Sequence, residues 1–222
     1  MSNEATQNMQ SALDYEKSCW SRADLFYTNR YPCQTIHRPD WETGKEYQKV
    51  DIDVCIRSKT RQGWPMELKI SEKFRTQPWP DVCIEIYEDL DALRPGWGKE
   101  SAADWHFFFH EHKWKQTHTS TDGCGNRIVV EEDHDQSFVR MVPTWAIRKM
   151  WAICRDLYTE TFKDMRSGSV GQREVILKHE SITLLIVPTK VNGKIAYRGA
   201  CACIPIGLFS TILNCEIEEQ TY

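Results

Sequence analysis

Apolar residues recur along the chain at two kinds of spacing, one typical of helices and one typical of strands. Between residues 10 and 29, an apolar stripe that includes Trp20 and Phe26 falls at roughly helical intervals and predicts an amphipathic helix. A second stripe, spaced by three or four residues, follows Pro143 and predicts the longest helix of the chain, ending near residues 167–171. Helices are therefore expected near the start and in the second half of the chain.

Alternation of apolar and polar residues predicts β-strands in several other segments. Turn-forming residues separate neighbouring segments, and Asn192-Gly193 is a strong signal for a two-residue hairpin. Short helices are predicted within residues 96–105 and 207–213. The alternating or strand-like segments are residues 49–56, 66–71, 82–90, 105–118, 126–133, 182–188 and 195–206.

The order of these elements, a helix, several strands, a helix and more strands, indicates an α/β or α+β protein. The chain has 222 residues, of which 41% are hydrophobic, and this is enough to fill one core. No repeat, proline-rich linker or low-complexity block divides it. We therefore expect a single domain over residues 1–222.

Charge and cysteine content exclude several classes of protein. The net charge of -4 carries no overall basic signature, so any contact with nucleic acid must be local. Nine cysteines without a CxxC pair fit neither a disulfide framework nor a zinc ribbon. We expect reduced thiols packed as small apolar groups, including Cys201 and Cys203, which share a strand face. A polar start and the lack of a run of ~20 apolar residues predict a cytoplasmic protein without a membrane span.

Acidic and basic side chains collect on one face of the hairpin predicted from the first two strand segments. By alternation, Asp51 and Asp53 on the first strand share this face with Glu67 and Lys69 on the second. Hard cations such as Mg²⁺ or Mn²⁺ prefer carboxylate oxygens, and a nearby lysine can orient water or neutralise charge in a transition state. The pattern therefore indicates metal-dependent hydrolysis of a phosphodiester.

The sequence VDIDV, a short loop and then Glu67-Leu68-Lys69 resembles the PD-(D/E)xK nuclease superfamily, which includes restriction endonucleases, Holliday-junction resolvases and phage exonucleases. The resemblance covers about residues 10–112. It implies a restriction-endonuclease-like mixed β-sheet flanked by helices, with residues 113–222 as a C-terminal elaboration of hairpins and a long helix. It also implies a nuclease that uses Mg²⁺ or Mn²⁺ and cleaves DNA rather than RNA.

The same resemblance gives roles to the four residues. Asp53 or Asp51 becomes the catalytic aspartate, Glu67 the second metal ligand and Lys69 the catalytic lysine. Alternation places both aspartates on the same face and does not decide between them. Asp53 is preferred, because a hairpin that folds around residues 60–62 would bring it opposite Lys69 and near Glu67.

Two more acidic residues are candidate metal ligands. Glu16, in the first predicted helix, resembles the helical glutamate that some members of the superfamily add as a ligand. Glu85 lies in an otherwise apolar strand, where a carboxylate requires a partner. Basic residues around the predicted hairpin could contact a phosphate backbone, and these are Lys49, Arg57, Lys59, Arg61, Lys73 and Arg75.

Other interpretations remain open. Alternating charges on a strand often form only a solvated sheet face. The even spacing of His106, His110 and His112 would allow a transition-metal site with His118 or Cys124, although strand histidines more often pack or form hydrogen bonds.

Two other functions are also compatible with the sequence, because a fold does not fix a function. One is a catalytically inactive nuclease-fold protein of a phage or mobile element that binds or inhibits a protein partner. The other is a structural subunit that forms a homo-oligomer through residues 113–222.

Overall fold

A computed structural model shows that the protein has a mixed α+β fold. It describes residues 3–31, 33–39, 44–59, 62–63, 65–121, 127–168, 170–191 and 194–222. The helices in this part of the chain are α1 (Asn3–Arg30), α2 (Lys45–Gln48), α3 (Trp97–Glu100), α4 (Thr144–Ser167) and α5 (Ile206–Leu213). The strands are β1 (Cys33–His37), β2 (Val54–Lys59), β3 (Pro65–Arg75), β4 (Asp81–Asp89), β5 (Arg94–Pro95), β6 (Trp105–His110), β7 (Lys113–Thr121), β8 (Arg127–Asp135), β9 (Phe138–Pro143), β10 (Gln172–Leu177), β11 (Glu180–Val191), β12 (Lys194–Pro205) and β13 (Glu218–Thr221).

Both long helices predicted from apolar periodicity are confirmed. The prediction that the second is the longer was wrong, because α1 has 28 residues and α4 has 24. The additional turns of α1 precede residue 10, where the polar sequence has no apolar period that could signal a helix. None of the helices in the described part of the chain is long and apolar enough to cross a membrane.

The first sheet has six strands in the order β1-β2-β3-β6-β9-β13. Strands β3 and β6 run parallel and the other neighbours antiparallel, so the sheet is mixed. Helix α1 covers one face, where Phe26 and Tyr27 pack against Phe107 and Phe109 of β6. Burial of each such aromatic side chain stabilises the fold by about 1.5–3 kcal/mol.

The second sheet has five antiparallel strands in the order β10-β11-β12-β4-β5. Helix α4 packs on it, and Trp151 of α4 donates a 2.8 Å hydrogen bond through Nε1 to the carbonyl oxygen of Ile86 in β4. Phe108 and Val142 of the first sheet belong to the same buried cluster. One large core therefore joins α4 and the two sheets.

The strand predicted over residues 105–118 is two separate strands, which corrects the sequence analysis. β6 lies inside the first sheet and its side chains after Trp105 are buried, whereas most side chains of β7 are exposed. β7 pairs only with β8 in an antiparallel ribbon, as the predicted hairpin requires, and the turn at residues 122–126 lies outside the described chain. The chain leaves the first sheet at Glu111, after the apolar run Phe107–Phe109 has ended.

Both sheets combine strands from before and after residue 112, the expected end of a nuclease-like core. β9 and β13 extend the first sheet beyond β6, and β12 pairs with β4 in the second. The expected C-terminal elaboration therefore supplies strands to the same sheets that hold the candidate site.

Candidate functional site

The predicted hairpin of β2 and β3 is present, but its register differs from the expected one. Cys55, rather than Asp53, is the Cα partner of Lys69, and Val54 is the partner of Ile70. Asp53 lies just before β2 and donates its backbone N–H to the carbonyl oxygen of Ile70 at 2.9 Å. The prediction that Asp53 lies opposite Lys69 was therefore wrong by two residues.

This register separates Glu67 from the aspartates. Glu67 is the Cα partner of Arg57 and accepts a 3.0 Å hydrogen bond from the Arg57 guanidinium. Arg57 lies four residues beyond Asp53, which corresponds to about 13 Å along an extended strand. Lys69 lies nearer, and its backbone N–H donates to the carboxylate of Asp104 at 2.8 Å. The predicted cation pocket that includes Glu67 is not formed.

Lys73, expected only as part of the basic rim, is the lysine that reaches the aspartates. Its Nζ donates a 2.7 Å hydrogen bond to Asp51 Oδ1 and lies 4.0 Å from Asp53 Oδ2. It also lies 5.1 Å from the centre of the Trp97 ring, in a cation–π contact. Because β3 continues to Arg75, alternation places Lys73 on the same face as Lys69, two strand repeats farther along β3.

Asp51 reaches this lysine because the chain turns sharply before β2. Asp51 has a φ of 57°, in the left-handed region that aspartate tolerates better than most residues. The backbone N–H groups of Val50 and Ile52 both donate to the carbonyl oxygen of Tyr47. The predicted alternation over residues 49–56 therefore holds only from Val54 onward.

Asp53 is fixed by the backbone of β3. Its Oδ2 accepts a 2.7 Å hydrogen bond from the N–H of Glu72, and its side chain is 41% exposed. Asp51 and Lys73 are more enclosed, with side chains 15% and 19% exposed. A ligand can therefore approach the cluster from the side on which Asp53 lies.

Glu72 points to the opposite face of the sheet, toward α1. It accepts a 2.6 Å hydrogen bond from the hydroxyl of Tyr27 and forms an ion pair with Arg38, which also pairs with Asp24. The Glu72 side chain is only 2% exposed. This buried network fixes the segment of β3 whose backbone holds Asp53.

A buried histidine closes the inner side of the cluster. His106 Nδ1 lies 3.6 Å from Asp51 Oδ2, and its ring centre lies 5.0 Å from that of Trp97. Burial lowers the pKa of His106 to about 3, although Asp51 opposes the shift, so the imidazole is neutral. Its Cα partner on β3 is Ser71, whose buried Oγ has no hydrogen-bond partner among the described residues.

Glu85 of β4 borders the same cluster from the second sheet. Its Oε2 accepts a 3.1 Å hydrogen bond from the backbone N–H of Trp97. A Cβ atom at Gly96 would lie 2.5 Å from Glu85 Cγ, so glycine is required at this close approach. Burial raises the pKa of Glu85, and the Trp97 hydrogen bond and the charge of Lys73 counteract it only in part.

Glu16 of α1 is also electrostatically coupled to the cluster. Burial and the negative charge of Asp53 raise the pKa of Glu16, while Lys73 and Arg75 lower it. The pKa of Asp53 is raised in the same way, first by burial and then by Asp51. For Lys73, burial lowers the pKa, but the two aspartates outweigh it and the net shift is upward. Burial is thus the main reason that the pKa values of Glu16 and Asp53 are raised, and the neighbouring carboxylates add to it.

Asp51 and Asp53 are the carboxylates of this cluster that could bind a hard cation. Within the described residues, no group of three or more His, Cys, Asp or Glu side chains is close enough to hold a metal ion. Mg²⁺, however, commonly binds one or two carboxylates and completes its shell with water and substrate phosphate. Asp51 and Asp53 supply that number, and Asp51 Oδ2 is buried without a hydrogen-bond partner in the described chain.

The members of the predicted basic rim whose side chains the structure describes do not form one surface. Lys49 pairs with Glu46, and Arg57 with Glu67, so both are engaged away from the aspartates. Lys59 lies at the far end of β2, and Arg61 lies outside the described residues. Arg75, at the end of β3, remains near the site through its coupling with Glu16.

Comparisons of the chain with protein-family models, with curated proteins and with solved structures found no match.

Proposed function

We propose that the protein is a metal-dependent nuclease that hydrolyses phosphodiester bonds, with Asp51 and Asp53 as cation ligands and Lys73 as the catalytic lysine. The observation that carries the proposal is the position of Lys73 Nζ, 2.7 Å from Asp51 and 4.0 Å from Asp53. An acidic turn, a hairpin and a lysine on the second strand are the elements of the PD-(D/E)xK pattern. Lys73 takes the role expected of Lys69.

The surrounding fold supports this assignment. The first sheet is mixed, α1 covers one face, and the aspartates lie just before β2, an arrangement compatible with the proposed restriction-endonuclease-like core. Glu85 and Glu16 lie near enough to influence Lys73 electrostatically, and they take the supporting acidic role expected of Glu67. DNA is the expected substrate rather than RNA, because the superfamily resemblance extends to DNA-cleaving enzymes.

Each residue of the proposed site has a separate chemical role. Bound Mg²⁺ or Mn²⁺ would neutralise phosphate charge and make a coordinated water more acidic. Lys73, held by Asp51 and the Trp97 ring, presents a fixed positive charge to the charge that develops on the phosphoryl oxygens. Neutral His106 lies 3.6 Å from Asp51 on its inner side and adds no competing charge. Trp97 contacts Lys73, and Phe108, the Cα partner of Lys73, is buried in the adjacent core.

Cleavage of labelled single- and double-stranded DNA, with RNA in parallel, tests this function. Wild-type protein is expected to cleave DNA with Mg²⁺ or Mn²⁺ and to lose activity with a chelator. Asp53→Asn should remove cleavage, because it removes the anionic ligand that is most open to solvent. Glu67→Gln is the matched control and should retain it. Equal loss in both variants, or cleavage that persists in Asp53→Asn, would overturn the assignment.

The second candidate is a nuclease-fold protein without catalysis that binds a protein partner. It is favoured by Ser71, a neutral side chain two residues before Lys73, where the (D/E)xK pattern has its acid. This function predicts no cleavage of any nucleic acid by the wild type under Mg²⁺ or Mn²⁺. It further predicts that Ser71→Glu alone does not create activity, since binding would depend on another surface.

A further inference from the structure

Three cysteine thiols meet on the second sheet, away from its buried core. Cys83 lies in β4, and Cys201 and Cys203 lie in β12. Cys203 is the Cα partner of Cys83, and Cys201 is the partner of Glu85. The intervening residues Ile84 and Ala202 point into the core, so alternation places the three thiols together on the other face.

The register favours one pair of these thiols for a covalent bond. Directly opposite residues in an antiparallel ladder have Cα atoms about 4.5 or 5.5 Å apart, and both distances fall in the range that a disulfide spans. Cys201 is diagonal to Cys83, and diagonal neighbours are about 7–8 Å apart, which is too far for most disulfides. All three cysteines are free thiols in the structure. Cys83 and Cys203 are therefore the pair with suitable geometry.

The thiols are close to each other and reachable from solvent. Cys201 and Cys203 both shift the pKa of the Cys83 thiol, as expected of neighbours in one cluster. Cys83 and Cys201 are partly exposed, whereas Cys203 is 4% exposed but borders an open pocket between β4, β11 and β12. Cys83 is therefore the more exposed thiol of the pair, and Cys203 lies directly opposite it in the ladder.

The arrangement of the thiols predicts that Cys83 reacts slowly with an external reagent and that Cys203 then reacts quickly with the product. A hydrogen bond with Cys201 lowers the pKa of Cys83, but Cys203 and burial outweigh it and the net shift is upward. The thiolate that attacks an external reagent is therefore scarce at neutral pH. Once Cys83 has reacted, Cys203 attacks within the molecule at a high effective concentration. Mixed disulfides between Cys83 and an external reagent should therefore be short-lived.

We propose that Cys83 and Cys203 form a cross-strand disulfide when the protein meets a small disulfide oxidant such as oxidised glutathione. The Cys83 thiolate attacks one glutathione sulfur, which forms a mixed disulfide and releases one glutathione thiolate. The Cys203 thiolate then attacks the Cys83 sulfur and releases the second. The two cysteine protons go to the two glutathione thiolates, and the oxidant takes up the two electrons. The proposal does not rest on the proposed nuclease function, although the thiol cluster borders Glu85, the Cα partner of Cys201.

Mass spectrometry of the whole chain tests the proposal. Reduced protein is incubated with oxidised glutathione at neutral pH, quenched in acid, alkylated under denaturing conditions and digested. The expected product lacks two hydrogens and yields a cross-linked peptide pair that contains Cys83 and Cys203. Because this bond closes a loop of about 120 residues, the oxidised protein should also unfold at higher urea concentration.

Two variants separate the pair from general thiol oxidation. In Cys203→Ala, a glutathione adduct at Cys83 should accumulate more than tenfold above the wild-type level, because its resolving thiol is absent. Cys154→Ala removes a fully buried thiol of α4 and should oxidise as the wild type does. A stable adduct at Cys83 in the wild type, a disulfide between other cysteines, or no reaction at Cys83 would each overturn the proposal. The wild-type result alone decides it if Cys203→Ala does not fold.

Discussion

The ammonium group of Lys73 donates a 2.7 Å hydrogen bond to Asp51, a residue 22 positions earlier whose backbone is in the left-handed region. The partners come from a turn and from the last third of β3, so both the turn and the hairpin register are needed to bring them together. The pair is mostly enclosed, while neighbouring Asp53 is partly exposed to solvent. This is the arrangement expected of a fixed charge beside an accessible ligand site.

Replacement of each of the two lysines of β3 by alanine provides a matched comparison. Lys73→Ala should lower the rate of DNA cleavage by about 10²–10³, the cost of removing a preorganised group that stabilises transition-state charge. Lys69→Ala should change the rate less than about threefold, because its described contact is made by its backbone. Single-turnover cleavage rates, with circular dichroism of both variants, measure this. A larger loss in Lys69→Ala would return the catalytic role to Lys69.

The buried network behind β3 should contribute strongly to stability. Arg38→Ala leaves the Glu72 carboxylate without its cation in a site where Glu72 is 2% exposed. The free energy of unfolding should fall by about 3–5 kcal/mol, as for other buried pairs that lose one partner. Lys163→Ala, which breaks the exposed pair with Glu160, should cost less than about 1 kcal/mol. Urea unfolding of both variants measures the difference, and equal losses would contradict a structural role for Arg38.

Burial of His110 predicts a loss of stability in acid. Burial lowers the pKa of His110 to about 4, while its Nδ1 donates to the carbonyl oxygen of Gln77. Between an unfolded pKa of about 6.5 and this value, the unfolded chain binds more protons, so the free energy of unfolding falls as the pH falls. The contribution approaches about 1.4 kcal/mol per pH unit within that window.

Urea titrations at several pH values between 4 and 7 measure this slope. His110→Gln, which can keep the donor to Gln77, should show a smaller decrease in stability toward acid than the wild type. His37→Gln, at an exposed position of β1, controls for the loss of one imidazole. The explanation fails if His110→Gln and the wild type lose stability with the same slope.

The sequence predicts the hairpin because alternation, Gly63 and Pro65 are local signals. It does not predict the register, because Gly63 and Pro65 do not fix the length of the loop between the two strands. A shift of the register by two residues also keeps every side chain on its face. Lys69 and Lys73 are therefore indistinguishable by alternation. Only the observed pairing of Cys55 with Lys69 selects Lys73.

Other parts of the site depend on contacts between distant segments. The left-handed turn at Asp51 interrupts a pattern that reads as a continuous strand, so its side chain could not be placed from alternation. His106 and Trp97 meet Asp51 and Lys73 only because β6 lies parallel to β3 and α3 follows β5. Cys83 likewise joins Cys201 and Cys203 through the pairing of β4 with β12, across more than half of the chain.

Anomalous diffraction from crystals of the protein soaked in Mn²⁺ tests the central assignment most directly. The account predicts a peak about 2.0–2.3 Å from carboxylate oxygens of Asp51 or Asp53, on the side where Asp53 is exposed, and weakened in Asp53→Asn. A peak bound by Glu67 instead, or crystals saturated with Mn²⁺ that show no peak at either aspartate, would contradict it.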